Sequence, residues 1–160
     1  MILVTTGTQM FGFDRLIMAA DKLATSLNEE VFIQTGHSGY EPKHCRFSKF
    51  VQKQEMNRLM DESWLVITHG GTGSIIGALN KGKKVIAVPR LSSFKEHVDD
   101  HQKEIIDEFE RQGLLIGVRN INDLPDAVER ARNFTPGRYI GNRDAVIEEI
   151  ERILRREVKF

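Results

Sequence analysis

Apolar and polar positions along this chain fall into two periods, and the alternation between them sets out the fold. Short, nearly unbroken apolar runs cover residues 2–5, Val31-Phe32-Ile33-Gln34-Thr35, Trp64-Leu65-Val66-Ile67-Thr68, Lys84-Val85-Ile86-Ala87-Val88 and Leu114–Val118. Each is bounded by glycine, proline or polar residues, the signature of buried strands. Residues 44–51 form a further, more heavily charged strand candidate. Between these runs the apolar residues recur at helical spacing. Phe13, Leu16, Ile17, Ala20, Leu23, Ala24 and Leu27 share one face of a helix from 13 to about 27. Met56, Leu59 and Met60 mark a helix over 54–63, and a shorter one spans 72–81. A long helix after the 90–96 loop carries Gln102, Ile105, Ile106 and Phe109 on one stripe and stops at Gly113. Asn122 or Asp123 caps a helix over 124–133 with Pro125 in its first turn, and a last amphipathic helix covers about 138–156.

Strands alternating with helices imply right-handed βαβ units. The expected fold is therefore α/β: a single doubly wound, Rossmann-like domain over 1–160, with a mainly parallel sheet and helices on both faces. Ligands of such sheets bind beyond the carboxyl ends of the strands. The glycine turns at 7–12 and 70–73 and the loop after Val88 all lie at such ends, so three stretches point at one crevice.

Composition narrows the classes of function. Lys+Arg and Asp+Glu balance at 23 each, so no global charge favours nucleic acid. A single cysteine, Cys45, excludes an internal disulfide framework and fits a reducing compartment. No run reaches the about 18 apolar residues that read as a membrane span, and a cytoplasmic location is expected.

The chemistry concentrates in His69-Gly70-Gly71-Thr72-Gly73-Ser74, a glycine-rich turn between a buried strand and a helix. Free N–H groups at a helix start make an anion site, and glycines let a ligand approach the backbone. The turn is not a P-loop, because no Gly-x-x-x-x-Gly-Lys-Ser/Thr run exists. Nor is it a dinucleotide fingerprint: Gly71-x-Gly73 is followed by Ile76 where the third glycine belongs, and the first turn lacks the pattern. A diphosphate is the expected ligand; the alternative is that these glycines only turn the chain.

A second constellation is Glu96-His97-Val98-Asp99-Asp100-His101-Gln102. His97 and His101, four apart, have the spacing of a zinc pair on one helical face. No His-Glu-x-x-His run or third ligand accompanies them, so no metal is expected. The segment reads either as a solvated helix start or as one where Asp100 and Gln102 offer acceptors and donors to sugar hydroxyls. Arg90 is read either as a contact to phosphate or an acidic sugar, or as an exposed loop charge. Ser74 lies in no nucleophile elbow, and no catalytic residue is assigned.

The order Val4-Thr5-Thr6-Gly7-Thr8, then Thr68 to Ser74, then Val88-Pro89-Arg90, then Glu96 to Gln102 resembles the C-terminal domain of family 28 glycosyltransferases. It is most similar to the stand-alone bacterial subunits of exopolysaccharide and capsule glycosyltransferases, and also similar to the catalytic subunit of the dolichol-pathway GlcNAc transferase. The resemblance implies the nucleotide-sugar-binding half of a GT-B enzyme with a UDP-sugar as donor and no further cofactor. It implies a separate membrane-associated subunit that carries the lipid-linked acceptor and recruits this chain to the inner face of the membrane. It assigns Gly7, Thr8 and Gln9 to a first diphosphate loop, Gly70 to Ser74 to a second, and Asp100, His101 and Gln102 to the donor sugar. In many relatives a glutamate holds the ribose where this chain has Gly77. Two other readings remain: a nucleotide-sugar sensor without catalysis, and a dinucleotide-dependent oxidoreductase.

Overall fold

The computed structural model describes residues 1–137, 148, 150–152 and 154–156. Six strands form one sheet: β1 (Ile2–Thr5), β2 (Val31–Gln34), β3 (Arg46–Ser48), β4 (Leu65–His69), β5 (Lys84–Val88) and β6 (Ile116–Gly117). Their order is β3-β2-β1-β4-β5-β6 and every pairing is parallel. This is the doubly wound α/β fold expected, and the order reverses between β1 and β4, where a crevice opens at the strand ends.

The helices are α1 (Asp14–Ala24), α2 (Lys53–Glu62), α3 (Thr72–Asn80), α4 (His101–Arg111) and α5 (Leu124–Asn133). Alternate strand residues face opposite sides. Ile2, Val4, Leu65, Ile67, Ile86 and Val88 pack against α1 and α5. Leu3, Val66, Val85 and Ala87 pack against α2, α3 and α4 through Leu59, Met60, Ile75, Ile76, Ile106 and Phe109. Ile150 joins that second cluster, and residues 148, 150–152 and 154–156 are helical. The rest of the expected last helix lies outside the described residues.

The boundaries differ from the apolar pattern in instructive places. Strand β3 is an edge strand of only three residues with two exposed side chains, so the charges in 44–51 mark where pairing stops. Strand β4 includes His69, which places this histidine on the sheet rather than in the turn. The expected helix after Glu96 starts only at His101. Asp100 accepts hydrogen bonds from Ser92 N (2.8 Å) and Ser92 Oγ (3.0 Å), and Asp99 from His101 N (3.0 Å), tying 97–100 into a loop. His97 therefore lies outside α4, and the zinc-pair spacing is not realised on a helix. No group of three potential metal-ligating side chains occurs among the described residues.

Candidate functional site

A cavity of about 470 Å³ opens at the carboxyl ends of β1 and β4, on the face covered by α2 and α3. Its lining is Thr5, Gly7, Thr8, Gln34, His69, Gly73, Ser74 and Gly77, with Phe50, Val51, Lys53, Met56, Asn57 and Met60 from the β3–α2 side. Lys53 is the one fully charged side chain in this lining, which contains no carboxylate.

The geometry of His69 organises the floor. Its Nδ1 accepts from Gly71 N at 3.1 Å, with Gln102 Nε2 at 3.4 Å. Burial, reinforced by the charges of Arg90 and His97, pushes its pKa down to about 4. The ring is therefore neutral at pH 7 with its proton on Nε2, which faces Ser74 Oγ at 3.2 Å. Because Ser74 Oγ accepts from the imidazole, its own hydrogen is released to donate into the cavity.

Helix α3 begins without a side-chain cap. Its first backbone bond runs from Ile75 N to Gly71 O at 3.2 Å, leaving the amides of Thr72, Gly73 and Ser74 without intrahelical partners. These amides, the helix dipole and the Ser74 hydroxyl all favour negative charge at the cavity mouth. Across the floor, Gln34 is buried and fully engaged. Its Oε1 accepts from Thr5 Oγ1 (2.8 Å) and Thr6 N (3.2 Å), and its Nε2 donates to Gly7 O (3.1 Å) and Lys49 O (2.8 Å). It locks the ends of β1 and β2 together.

The sequence-derived candidates divide sharply. Gly7, Thr8, His69, Gly73 and Ser74 line the cavity; Gln9, Gly70, Gly71, Thr72, Arg90, Asp100, His101 and Gln102 do not. Gly70 is glycine because a Cβ there would lie 2.7 Å from Gln102 Cβ, so it lets α4 pack on the turn. Gln102 is buried, and its Oε1 accepts from Gly70 N (2.9 Å) and Arg90 N (3.0 Å). It brackets two strand ends rather than presenting its carboxamide to a sugar. Asp100 is spent on Ser92, whose amide and hydroxyl hold its carboxyl below the usual range. His101 lies near Asp99 (3.7 Å) and Glu104 (3.8 Å).

Arg90 corrects both readings of it. It is 1% exposed and stacks on Phe13 at 4.9 Å. It donates to the carbonyls of Thr6, Phe11 (2.9 Å), Gly12 (3.2 Å) and Glu96 (3.1 Å). Burial lowers its pKa to about 10, so it remains a cation that clamps the 6–12 loop to the 89–96 loop. Arg15 completes the clamp through Glu96 (2.9 Å) and Pro89 O (2.9 Å). Cys45 is set apart from any nucleophilic role, since burial and Asp21 push its thiol up to about 12.

The α2 wall of the cavity was not among the expected site residues. Phe50, Val51, Lys53 and Asn57 carry no motif, and only the rule that ligands gather at strand ends points to the segment after β3.

Comparison with known proteins places the chain in a family. Residues 1–152 match the glycosyltransferase family 28 C-terminal domain. A UDP-N-acetylglucosamine transferase subunit ALG13 of Kluyveromyces lactis is 44% identical over 96 residues, covering 59% of this chain and 45% of the relative. The chain thus spans about half the length of the curated relatives it matches. The solution structure of ALG13 superposes with a TM-score of 0.64 at 16% identity, over 93% of this chain and 94% of that one. The crystal structure of the kitacinnamycin glycosyltransferase superposes with a TM-score of 0.61 at 14% identity, over 96% of this chain but only 38% of that one. The fold is thus the one that forms the C-terminal half of GT-B enzymes. By the match over nearly its whole length, the chain belongs to the glycosyltransferase family 28 C-terminal domain family.

Proposed function

We propose that this chain is the donor-binding subunit of an inverting glycosyltransferase that takes a UDP-sugar and transfers a hexose-type sugar to a lipid-linked acceptor. The observation that carries the reading is the uncapped start of α3 beside a serine whose hydroxyl hydrogen is freed by His69, in a cavity with no carboxylate in its lining. Transfer builds negative charge on the departing UDP. Fixed amides, the Ser74 hydroxyl and a helix N-terminus stabilise that charge without reorganising. The likeness to an ALG13 subunit supports UDP-N-acetylglucosamine as the donor.

The acceptor hydroxyl needs a general base within hydrogen-bond reach. His69 does not serve, since its unprotonated Nδ1 is held by Gly71 N and its Nε2 carries the proton. The base comes from a partner subunit that brings the lipid-linked acceptor. Met10, Phe11, Phe94 and Val98 expose large apolar surfaces on the loops after β1 and β5, beside the crevice, and form the face for that partner. No helix among the described residues is long and apolar enough to cross a membrane. In this reading the partner supplies the membrane attachment, at the inner face of the membrane. The biological setting we assign is exopolysaccharide or capsule synthesis.

Calorimetric titration with UDP, UDP-N-acetylglucosamine and NAD tests the donor site; UDP binding is expected, and NAD binding without UDP would overturn it. Transfer of labelled sugar with the co-expressed partner tests the reaction. UDP binding without transfer under any partner and donor would favour a sensor.

A further inference from the structure

The cavity is a groove between two helices that run side by side. Helices α2 and α3 follow parallel strands, start at the same edge of the sheet and pack on the same face. Along one wall Lys53 and Asn57 are four residues apart; along the other, so are Gly73 and Gly77. One helical turn, a rise of about 5.4 Å, separates the members of each pair. The phosphate-binding groups, Gly73 N, Ser74 N and Ser74 Oγ, sit at the level of the first turn. One turn further along, α3 offers no side chain: a Cβ on Gly77 would meet no atom within 4 Å. Asn57, one turn past Lys53 on α2, lines the same cavity as Gly77, and its carboxamide makes no hydrogen bond with any other described residue.

Resting on the donor-site reading above, we infer that Asn57 is the ribose-recognition residue, holding the vicinal hydroxyls across the space that Gly77 leaves open. A carboxamide offers one acceptor and two donors, and a vicinal diol needs both kinds of partner. The rise of about 5.4 Å along α3 from Gly73 to Gly77 matches the step from the phosphates to the sugar of a nucleotide. Phe50, half-exposed at the groove mouth and in edge contact with the His37 ring at 5.1 Å, then lies against the base. The specificity of the site for ribose therefore comes from α2, not from α3.

The test compares UDP with 2′,3′-dideoxy-UDP by calorimetry on the full chain. The wild type should bind UDP about tenfold or more tighter than the dideoxy compound. Asn57→Ala should lose most of that preference while binding the dideoxy compound as the wild type does. Asn57→Ala combined with Gly77→Glu, which has room for the added side chain, should restore a preference for UDP. Asn57 is exposed on α2, so circular dichroism and melting of Asn57→Ala should match the wild type. An unchanged preference in Asn57→Ala would overturn the ribose assignment alone. Failure of the wild type to bind UDP at all would overturn the donor-site reading and this inference with it.

Discussion

A Cβ built on Gly71 would lie 2.3 Å from Cε1 of His69, far inside van der Waals contact with the imidazole. A Cβ on Gly7 would lie 2.5 Å from Nε2 of the same ring, at a backbone φ of +76° that favours glycine. Both glycines therefore make room for the histidine at the end of β4, and Gly71 in addition donates its amide to Nδ1. Gly71→Ala should displace the ring, destabilise the fold by about 1–3 kcal/mol and weaken UDP binding. Adding His69→Ala should return part of the stability but not the binding. Urea unfolding of the four members of this cycle measures the coupling; purely additive losses would show that the ring is not what the new methyl meets.

Gly73 should behave in the opposite way. A Cβ there meets nothing within 4 Å, it lies in the first turn of α3, and it lines the cavity. Gly73→Ala should stabilise the chain by up to about 1 kcal/mol through helix propensity. The same methyl intrudes where a phosphate would approach the amides, so UDP affinity should fall. Thermal melting and calorimetry on one sample read the two signs. A substitution that left both unchanged would remove the turn from the ligand site.

These two glycines show how far the sequence could be read. The strand runs, the helix stripes and the meeting of three loops at strand ends follow from local periodicity, and the sheet agrees with them. The turn at 69–74 was visible as a unit because it is contiguous. Which of its glycines lines the cavity was not, because that depends on where one imidazole ring points. Gln102 and Arg90 were legible as polar residues near the crevice, yet burial turned both inward to bind backbone groups. The α2 wall carried no signal because it is assembled from an aromatic, a lysine and an asparagine that belong to no motif. Short elements were the least legible: pairing, not pattern, limits β3 and β6.

His69 gives the fold a pH dependence with a definite sign. Its pKa falls from an ordinary 6.5 to about 4 in the folded chain. Between those values the unfolded chain binds the proton that the folded chain excludes. The contribution is complete above about pH 6.5 and is lost progressively as pH falls towards 4, amounting to on the order of 3 kcal/mol. Urea unfolding at pH 7 and pH 5 should show a larger drop for the wild type than for His69→Gln, which has no such proton. Equal drops in both would assign the loss to carboxylates instead.

Arg90 should prove to be a structural cation. Arg90→Met would leave the carbonyls of Thr6, Phe11, Gly12 and Glu96 without their donor and cost about 3 kcal/mol or more. Arg90→Lys should not rescue it, because one ammonium cannot span carbonyls that a planar fork reaches on both sides. Urea midpoints measure this, and full stability in Arg90→Lys would contradict the clamp. UDP affinity should fall in both variants, since the 6–12 loop that carries Gly7 and Thr8 loses its tether.

The apolar rim separates donor binding from transfer. Met10 is 86% exposed and Val98 is 75% exposed, on two loops that the Arg90 clamp holds together. Neither residue lines the cavity. Met10→Asp and Val98→Asp should therefore leave melting temperature and UDP affinity near wild type. Each places a charge on the surface assigned to the partner, where burying it unpaired costs several kcal/mol, so co-purification of the partner and sugar transfer should both fall by an order of magnitude or more. Charge reversal to Lys at the same positions should do the same, since the cost lies in desolvation and not in sign. Transfer that survived both charges would move the partner's contact away from the crevice, and with it the route by which a base reaches the acceptor.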